Sequence, residues 1–390
     1  MKNQPLRVVG TSVTLHEELR QRAQKDLGFP ISFEIFDGPT CQQRGVTQPQ
    51  SYDIYDQWFH SIDLLWTAGS IEPIDTERIT HWPDASPLTL TGSPVEGARK
   101  AGGTCPANVL FVQDNNTLAS KTTNRICMLP TTFNVDSFAY GRDAAPGKKA
   151  ETIESWSWLL DDRWHSRCIL SQDMASSVVE LALAATSAGM MRIADVGNLT
   201  IEEIDALFEL LMRLKKKGHF SRSWAMHEES VRLFTMPSDP IGSLWSPAYY
   251  EIRGLGRDLQ YAVPREGYRG WHSGLSLSSA IPNQMRYKAY AYLNWWLSGV
   301  PGAIMARQGY YMSVIEPVRD TLSAVEWDFW YGGKPAETDL ASLHGEIAIR
   351  AGDIRSGGSY KDRVGSIAVW STIMDEHNYI VRHWREFIRN

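Results

Sequence analysis

The sequence contains no hydrophobic run that could cross a membrane. A bilayer-spanning helix needs about 18–20 consecutive apolar residues, and no apolar run in the 390 residues approaches that length. The opening MKNQPLRVVG also lacks the basic-then-apolar pattern of a signal peptide and enters a predicted strand almost at once. The sequence therefore fits either a cytoplasmic protein or a mature exported form with an added start methionine.

The chain also lacks an excess of positive charge. It has 39 Lys and Arg residues against 45 Asp and Glu residues, which gives a formal net charge of -6. Phosphate backbones are bound by basic protein faces. We therefore expect no nucleic-acid partner.

Cysteine is scarce. The four cysteines, Cys41, Cys105, Cys127 and Cys168, show no CxxC or CxxxC spacing, so we expect neither a zinc nor an iron–sulfur site and no metal. Cys105 and Cys127 flank a segment that could bend back on itself. They can form a disulfide in an oxidising compartment or remain buried thiols.

Catalytic signatures are absent as well. No GxSxG nucleophile motif occurs, and no GxGxxG follows a predicted strand. We therefore predict a protein that is not an enzyme and that needs no cofactor. One enzymatic hypothesis stays open, a cysteine nucleophile at Cys41 or Cys105 near the end of a strand.

Tryptophan, in contrast, is abundant, with 15 residues in the chain. Trp58, Trp245, Trp271 and Trp330 lie beside Gly, Ser, Pro or His in segments that we predict to be loops. Aromatic faces attract organic cations by about 0.5–2 kcal/mol per contact, and they also stack on sugars. This composition favours holding a small ligand over transforming it.

The N-terminal pattern predicts a parallel sheet. A buried strand at 6–10 precedes an amphipathic helix at 15–28, and a second strand follows at 31–37. In such sheets the ligand crevice lies beyond the carboxyl ends of the strands. The length suits two domains of ordinary size, so we predict an α/β protein with two lobes.

Further elements follow from the periodicity of apolar residues and from turn residues. We predict a strand and loop at 51–59, a helix at 61–69, an extended segment at 126–141 broken at Pro130, a helix at 151–162, a strand at 167–171, a helix at 173–186 capped by Asp173, a helix at 201–218, a strand at 259–264, a strand at 274–282, a helix at 283–299, and two or three helices within 338–389.

Four stretches in this order resemble one family, the spermidine/putrescine-type periplasmic binding proteins of ABC transporters. They are YDIYDQWFHSIDLLWTAGSIEPID (52–75), MLPTTFNVDSFAYG (128–141), SWSWLLDDRWHSRCILSQD (155–173), and VPREGYRGWHSGLSLSSAIPN (263–283) followed by AYAYLNWWLSG. The resemblance implies a type II periplasmic-binding fold with a ligand cleft at the hinge. It also implies lobe 1 at 1–135 plus 274–317 and lobe 2 at 136–273 plus 318–390.

The resemblance further implies a set of ligand-binding residues. The positions that match the family's binding loops are Thr11, Ser12, Trp58, Phe59, Thr131, Thr132, Asp173, Trp245, Trp271, His272, Ser273 and Tyr310. It implies a periplasmic location after removal of a signal peptide, a membrane permease as partner and a monomeric state.

The chain departs from the family at its acidic residues. Ser176 and the pair His272-Ser273 stand where the family carries carboxylates, and only Asp173 is retained. Because each buried ammonium group needs an acid, we expect a singly cationic or zwitterionic amine, such as a quaternary ammonium compound, a betaine or an amino acid derivative, before a polyamine. The alternatives are an enzyme on the same fold with a cysteine nucleophile, of the thiamin-pyrimidine type, and a carbohydrate-binding receptor.

Overall fold

A computed structural model describes residues 4–94, 101–142, 153–342 and 345–389. The strands of the described residues are β1 Leu6–Gly10, β2 Ile31–Ile35, β3 Ile54–Trp58, β4 Ile71–Glu72, β5 Ile74–Asp75, β6 Phe111–Val112, β7 Leu118–Ala119, β8 Arg125–Ile126, β9 Leu129–Gly141, β10 Cys168–Ser171, β11 Phe220–Trp224, β12 Ile241–Leu244, β13 Leu259–Tyr261, β14 Tyr268–Ser278, β15 Tyr311–Met312, β16 Leu340–Ala341, β17 Ile347–Ile349 and β18 Ile367–Trp370.

The α-helices are α1 Glu17–Leu27, α2 Gly38–Thr47, α3 Ile62–Thr67, α4 Pro87–Thr91, α5 Pro106–Val109, α6 Met174–Ser187, α7 Ile201–Lys216, α8 His227–Phe234, α9 Ser246–Gly254, α10 Arg286–Trp296, α11 Val300–Ala306, α12 Glu316–Thr321, α13 Ala324–Trp330, α14 Tyr360–Gly365 and α15 His377–Arg389. Short 3₁₀ turns, such as Trp156–Leu160 and Asp162–Trp164, connect some of these elements.

The chain divides into two compact units. Unit 1 comprises residues 1–100, 104–134 and 271–327, and unit 2 comprises residues 101–103, 135–270 and 328–390. Compared with the lobes implied by the resemblance, residues 271–273 and 318–327 lie in unit 1, and residues 101–103 and 135 lie in unit 2. Three predicted site residues, Trp271, His272 and Ser273, therefore belong to unit 1, whereas the resemblance implies lobe 2 for them.

Unit 1 is built on the predicted parallel sheet. β1 pairs in parallel with β2 on one side and with β3 on the other. β14 then pairs antiparallel with β3, with Ser273 opposite Trp58 and Leu277 opposite Ile54. Unit 1 also contains a smaller sheet of β5, β8, β6 and β7. The carboxyl ends of β1, β2 and β3 meet at one edge, which is where ligands bind in sheets of this kind.

Unit 2 has its own sheet. β10 lies between β11 and β12, parallel to both, and β12 and β13 pair antiparallel with β9. The longest helix, α7, begins with a capping box in which Thr200 accepts from the backbone of Glu203 and the Glu203 side chain accepts in return. Its buried leucines pack within a core that includes Trp156, Trp164 and Phe387.

The early elements follow the sequence pattern, but several others differ. Pro130 does not break the extended segment, because it is only the second residue of β9, where a missing N–H removes no essential ladder bond. The helix predicted at 151–162 is two 3₁₀ turns among the described residues. Trp156, Trp158 and Leu160 are all buried, so no single apolar face exists for an amphipathic helix.

Other differences concern long-range pairing. β14 begins at Tyr268 and not at 274, because residues 268–270 pair with β18, about a hundred residues further along the chain. Within 338–389, the residues that the structure describes form two helices, α14 and α15, and also three strands that the periodicity did not indicate. Trp271 lies within β14 and Trp330 within α13, so these two tryptophans are not loop residues.

Candidate functional site

The loop after β1 carries the first two candidate residues of unit 1. The Leu15 backbone N–H donates to the carbonyl of Thr11 at 3.0 Å, which closes a turn directly after the strand. Thr11 is buried and Ser12 is exposed. Gly10 permits this arrangement, because a Cβ there would lie 2.7 Å from the carbonyl oxygen of Asp56 on β3. The Ser12 hydroxyl is therefore the accessible polar group of this loop.

Trp58 is the last residue of β3 and is half-buried. Its ring stacks on His60, with centroids 5.4 Å apart and planes inclined by 16°. A Cβ on Gly38, the first residue of α2, would lie 2.7 Å from the ring atom Cζ3. The next residue, Phe59, is 1% exposed and contacts the ring of His272 edge to face. Trp58 therefore presents aromatic surface at the strand end, whereas Phe59 packs inside unit 1.

Thr131 and Thr132 lie near the start of β9 and are both buried. The Thr132 hydroxyl contacts the sulfur of Met312 at 3.4 Å. The Thr131 hydroxyl oxygen is buried and has no hydrogen-bond partner among the described residues. A buried hydroxyl without a partner costs free energy, so Thr131 is the better candidate of the two for a polar contact.

The remaining candidates of unit 1 include Trp271 and Tyr310. Their rings meet edge to face, with centroids 5.4 Å apart. Trp271 is 7% exposed and Tyr310 is 1% exposed. These two rings therefore pack against each other, and only a small part of either ring is accessible.

His272 is almost completely buried, with 2% of its surface exposed. Its ring stacks on Phe133 with centroids 5.1 Å apart. Its Nδ1 lies 2.8 Å from the carbonyl of Ser273, and its Nε2 lies 3.3 Å from the Thr89 hydroxyl. Burial lowers the pKa of His272 to about 3, so the ring is neutral at physiological pH. Both ring nitrogens already have protein partners, and the predicted ligand contact of His272 stays a prediction.

Ser273 contacts Asp56 on β3, a residue that was not among the predicted site residues. The Ser273 hydroxyl donates to Asp56 Oδ1 at 3.3 Å and to the carbonyl of Gln57 at 3.0 Å. Asp56 is 1% exposed, and burial raises its pKa to about 7 against the effect of the Thr14 and Ser273 hydroxyls. Asp56 lies in a strand whose first four residues are all buried, and no pattern in the sequence marks it as a buried carboxyl group.

In unit 2, Asp173 is the residue that precedes α6, as predicted. It makes no side-chain bond to the helix backbone. Instead, the Ser176 hydroxyl donates to Asp173 Oδ2 at 2.5 Å. Asp173 is half-buried, whereas Ser176 is 5% exposed. Asp173 therefore offers an accessible carboxylate held by the first turn of its helix.

Trp245 lies directly after β12 and before α9, at the end of a parallel strand. Its ring meets Trp224 edge to face, with centroids 4.9 Å apart. Trp224 is fully buried, and Trp245 is half-buried. The buried ring therefore fixes one edge of Trp245 and leaves part of its surface accessible.

A buried charged cluster underlies this part of unit 2. Arg269 Nε donates to Glu180 at 2.7 Å, and its Nη2 donates to Asp136 at 3.4 Å. Burial opposes the charge on Arg269, but Glu180 and Asp136 outweigh burial and raise the pKa of the guanidinium. Burial also raises the pKa of Glu180, against the effect of Arg269. The Ser371 hydroxyl accepts from Arg269 Nη1 at 3.0 Å.

The residues of this cluster are far apart in the sequence. Glu180 lies 89 positions from Arg269 and Asp136 lies 133 positions away. Only the α6 spacing of Asp173, Ser176 and Glu180, at intervals of three and four, could have placed three polar residues on one helix face.

The cysteines are poor nucleophiles. All four, which lie within the described residues, are buried and reduced, so the disulfide alternative for Cys105 and Cys127 is not formed. Burial raises the pKa of Cys41 to about 12, which keeps it a thiol. The Cys105 sulfur lies 3.5 Å from Asn108 Oδ1. Because the thiolate is the nucleophile, the hypothesis of a catalytic Cys41 loses its physical basis.

The residues that the structure describes contain neither a metal-binding cluster nor a membrane-spanning helix. No group of three or more of their His, Cys, Asp or Glu side chains could hold a metal ion. None of the helices within the described ranges is both long and apolar enough to cross a bilayer.

The family comparison identifies the class of protein. The model of the bacterial extracellular solute-binding proteins matches residues 18–327, which is most of the chain. The chain belongs to this family of solute-binding transport components, which are not enzymes. The family predicted from the four sequence stretches is thereby confirmed. No individually curated protein matches the chain.

Solved structures confirm the predicted α/β periplasmic-binding-protein fold over the full length. The spermidine/putrescine substrate-binding protein PotD of Streptococcus pneumoniae has a TM-score of 0.62 at 13% identity, covering 99% of this chain and 100% of its own. MotA of A. tumefaciens in complex with glucopine has a TM-score of 0.65 at 10% identity, covering 99% and 100%. A receptor for GABA has a TM-score of 0.63 at 12% identity, covering 99% and 98%.

Proposed function

We propose that this chain is the solute-binding component of an ABC importer and that it binds a small cationic or zwitterionic organic amine in the periplasm. The observation that carries this proposal is the chemistry of the accessible candidate residues. They are two half-buried tryptophans at strand ends, Trp58 and Trp245, and a single half-buried carboxylate, Asp173. Aromatic faces and one acid suit one positive charge.

A fully charged polyamine fits these residues less well. Each ammonium group removed from water needs a carboxylate or an equivalent set of acceptors. Ser176 contributes a hydroxyl, and His272 is buried and neutral. One carboxylate can neutralise one of the charges, and the others would depend on aromatic contacts alone. An amino acid derivative or an opine-like conjugate therefore fits better than spermidine or putrescine.

The ligands named for similar structures are consistent with this range. They include spermidine/putrescine, glucopine and GABA for proteins that share the fold at 10–13% identity. At that level of identity the fold is shared but the ligand is not transferable. We infer the ligand class from the residues of this chain, and the similar structures support only that the fold serves such ligands.

The proposed partner is the membrane permease of the same importer. A binding protein that captures a solute outside the cytoplasmic membrane delivers it to such a permease. We propose that the chain acts as a monomer. Co-purification of the chain with a permease only in the presence of ligand would support the delivery role.

A thermal-shift screen tests the ligand class directly. A ligand at one hundred times its dissociation constant stabilises the folded state by about 2.7 kcal/mol, which raises the melting temperature of a chain of this length by about 3 °C. Amines, betaines, amino acids, opines and sugars form the panel. We expect shifts with amines or zwitterions. A shift with sugars alone would establish the carbohydrate-receptor alternative, and no shift with any compound would contradict the proposal.

Matched tryptophan variants locate the binding surface. Trp58→Ala should weaken the best amine by about 2- to 30-fold, because one cation–aromatic contact is lost. Trp66→Ala is the control, since Trp66 is also half-buried in unit 1 but is not a candidate. Equal dissociation constants for both variants, measured by isothermal titration calorimetry, would remove Trp58 from the site.

A further inference from the structure

The helix α15 carries a row of positive charge on its exposed face. Arg382, Arg385 and Arg389 are spaced three and four residues apart, so they lie on one side of the helix, and all three are exposed. The opposite side packs into the core of unit 2 through Trp384 and Phe387. The arginines therefore form a row that faces solvent over about two turns of the helix.

The end of α7 extends this row into a larger basic surface. Phe208 of α7 packs edge to face on Phe387, with centroids 6.4 Å apart, and Lys215 Nζ donates to the carbonyl of Ile388 at 3.4 Å. The last turns of the two helices are therefore neighbours, and three further exposed cations lie at this end of α7. We call the six exposed cations of the two helices the basic patch, which consists of Arg213, Lys216, Lys217, Arg382, Arg385 and Arg389.

The basic patch differs in charge from the rest of the chain. The whole chain has 45 acidic residues against 39 basic ones, and other exposed arginines are paired, such as Arg163 with Asp161 and Arg350 with Asp339. The six cations of the basic patch form no ion pair with any residue that the structure describes. α15 itself contains one acidic residue, Glu386, against three arginines. Positive charge is therefore concentrated at this surface.

Helix stability does not explain the row on α15. A cation near the C-terminus of a helix interacts favourably with the helix dipole, but this effect is confined to the last turn. Arg389 lies in the last turn, whereas Arg382 and Arg385 precede it. Like charges three or four residues apart also repel each other and weaken a helix. The row therefore points to a partner outside the chain.

The surroundings of the basic patch indicate the chemistry of that partner. A stable interface between proteins has an apolar centre inside a polar rim, but Ile380, Trp384 and Phe387 of α15 are all buried within unit 2. Long, flexible cations spread over two helix ends suit a diffuse layer of negative charge better than one fixed anion. Anionic lipid headgroups form such a layer, and a basic amphipathic helix is typical of proteins that bind membrane surfaces.

We infer that the basic patch binds the anionic headgroups of a phospholipid membrane and that α15 lies along the membrane surface. The inference goes beyond the proposed function and requires no bound solute. Binding of this kind holds the protein beside the membrane in which its proposed permease lies. It depends on charge, so salt weakens it by screening.

Sedimentation with lipid vesicles tests the inference on the whole chain without any solute. Vesicles of phosphatidylcholine alone are compared with vesicles of equal parts phosphatidylcholine and phosphatidylglycerol. We expect sedimentation with the anionic vesicles at about 0.1 M salt, where the Debye length is about 10 Å, and its loss at about 1 M, where the Debye length is about 3 Å. Equal sedimentation with both kinds of vesicle, or none with the anionic vesicles, would overturn the inference. Binding only to vesicles that carry the importer's permease would also overturn it, because the partner would then be a protein.

Charge variants locate the membrane-binding surface. The triple variant Arg382→Gln, Arg385→Gln and Arg389→Gln should bind anionic vesicles about a hundredfold more weakly than the wild type, since each arginine near the surface contributes a factor of about five. A change of less than about fivefold would remove the row on α15 from the surface. The melting temperature of the variant should equal that of the wild type, because the three side chains are exposed.

A matched control removes the same charge elsewhere in unit 2. It replaces three exposed arginines outside the basic patch, as Arg142→Gln, Arg163→Gln and Arg350→Gln. The control should bind anionic vesicles nearly as the wild type does, and equal weakening in both triple variants would overturn the inference. Because the assay contains no solute, its failure would leave the proposed function standing, and failure of the thermal-shift panel would leave the membrane surface standing.

Discussion

The contact between Gly38 and Trp58 offers a substitution that moves one ring and little else. An alanine Cβ at position 38 would lie 2.7 Å from Cζ3 and 3.0 Å from Cη2 of the Trp58 ring. Ordinary contacts between such carbons lie at about 3.5–4.0 Å. Because the clashing atoms belong to the far end of a half-buried side chain, the ring will move by about 1 Å while the backbone stays in place.

The expected effects on stability and on binding differ. Gly38 is the first residue of α2, where alanine loses less conformational entropy on folding and contributes up to about 1 kcal/mol. That gain offsets part of the clash, so the melting temperature should stay within about 2 °C of the wild type. The affinity for a cationic ligand should fall a few-fold, and by no more than the loss in Trp58→Ala, which is about 2- to 30-fold.

Isothermal titration calorimetry with the best amine measures the dissociation constants of Gly38→Ala, Trp58→Ala and the wild type. Gly365→Ala is the control, since a Cβ at that position in α14 meets no atom within 4 Å. Its affinity should equal that of the wild type. Weak binding by Trp58→Ala together with wild-type binding by Gly38→Ala would contradict the prediction, because the position of the Trp58 ring would then not affect affinity.

Three further predictions concern stability and reactivity. Arg269→Met leaves two buried carboxylates without their cation and should lower the free energy of unfolding by about 3–5 kcal/mol. The control Arg350→Met breaks an exposed ion pair and should lower the free energy of unfolding by about 1 kcal/mol or less. Urea denaturation measures both values, and equal decreases for the two variants would contradict this prediction. Burial raises the pKa of Asp56 to about 7, so the native state keeps a proton that the unfolded chain has released, and stability should fall as pH rises from about 4 to 7. The free energy of unfolding of the wild type should therefore differ between pH 5 and pH 8, and Asp56→Asn should reduce that difference by about 3 kcal/mol. If the free energy of unfolding of the variant and of the wild type changed with pH in parallel, the raised pKa of Asp56 would be wrong. A thiol reagent should modify all four cysteines after unfolding in guanidinium but none in the native protein, because all four are buried, and rapid labelling of the native chain would show otherwise.

Local patterns in the sequence were sufficient where a structure depends on neighbouring residues. The strand, helix and strand at the N terminus follow from apolar spacing and from Gly28, which adopts the left-handed conformation that ends α1. The helix from Ile201 begins at Thr200, whose pairing with Glu203 is visible in the sequence as a capping box. These elements need no information from distant parts of the chain.

Elements defined by distant partners could not be predicted in the same way. β14 extends back to Tyr268 because β18 pairs with it, and that partner lies about a hundred residues further on. The missed extension also moved Trp271 from a predicted loop into a strand. The 3₁₀ turn at Trp156–Leu160 is surrounded by core residues, so the solvent-facing side that gives a helix its periodic pattern does not exist there.

The candidate site shows the same limit. The resemblance placed Trp58, Trp245 and Asp173 at positions where the structure leaves them half-buried. It could not show that Phe59 is in the core of unit 1, since adjacent residues at a strand end point in different directions. Neither could it find Arg269, whose charge is explained only by acids brought close through folding.

The antiparallel pairing of β3 with β14 has a consequence for how the chain is made. Trp58 pairs with Ser273, and at ~5–20 residues per second the ribosome needs about 10–40 s to synthesise the residues that separate them. During that time β3 has one edge without a neighbour, and unpaired strand edges recruit other chains or chaperones. The N-terminal sheet therefore remains unfinished until β14 has emerged, and aggregation during expression should depend more on the rate of synthesis than on the stability of the finished protein.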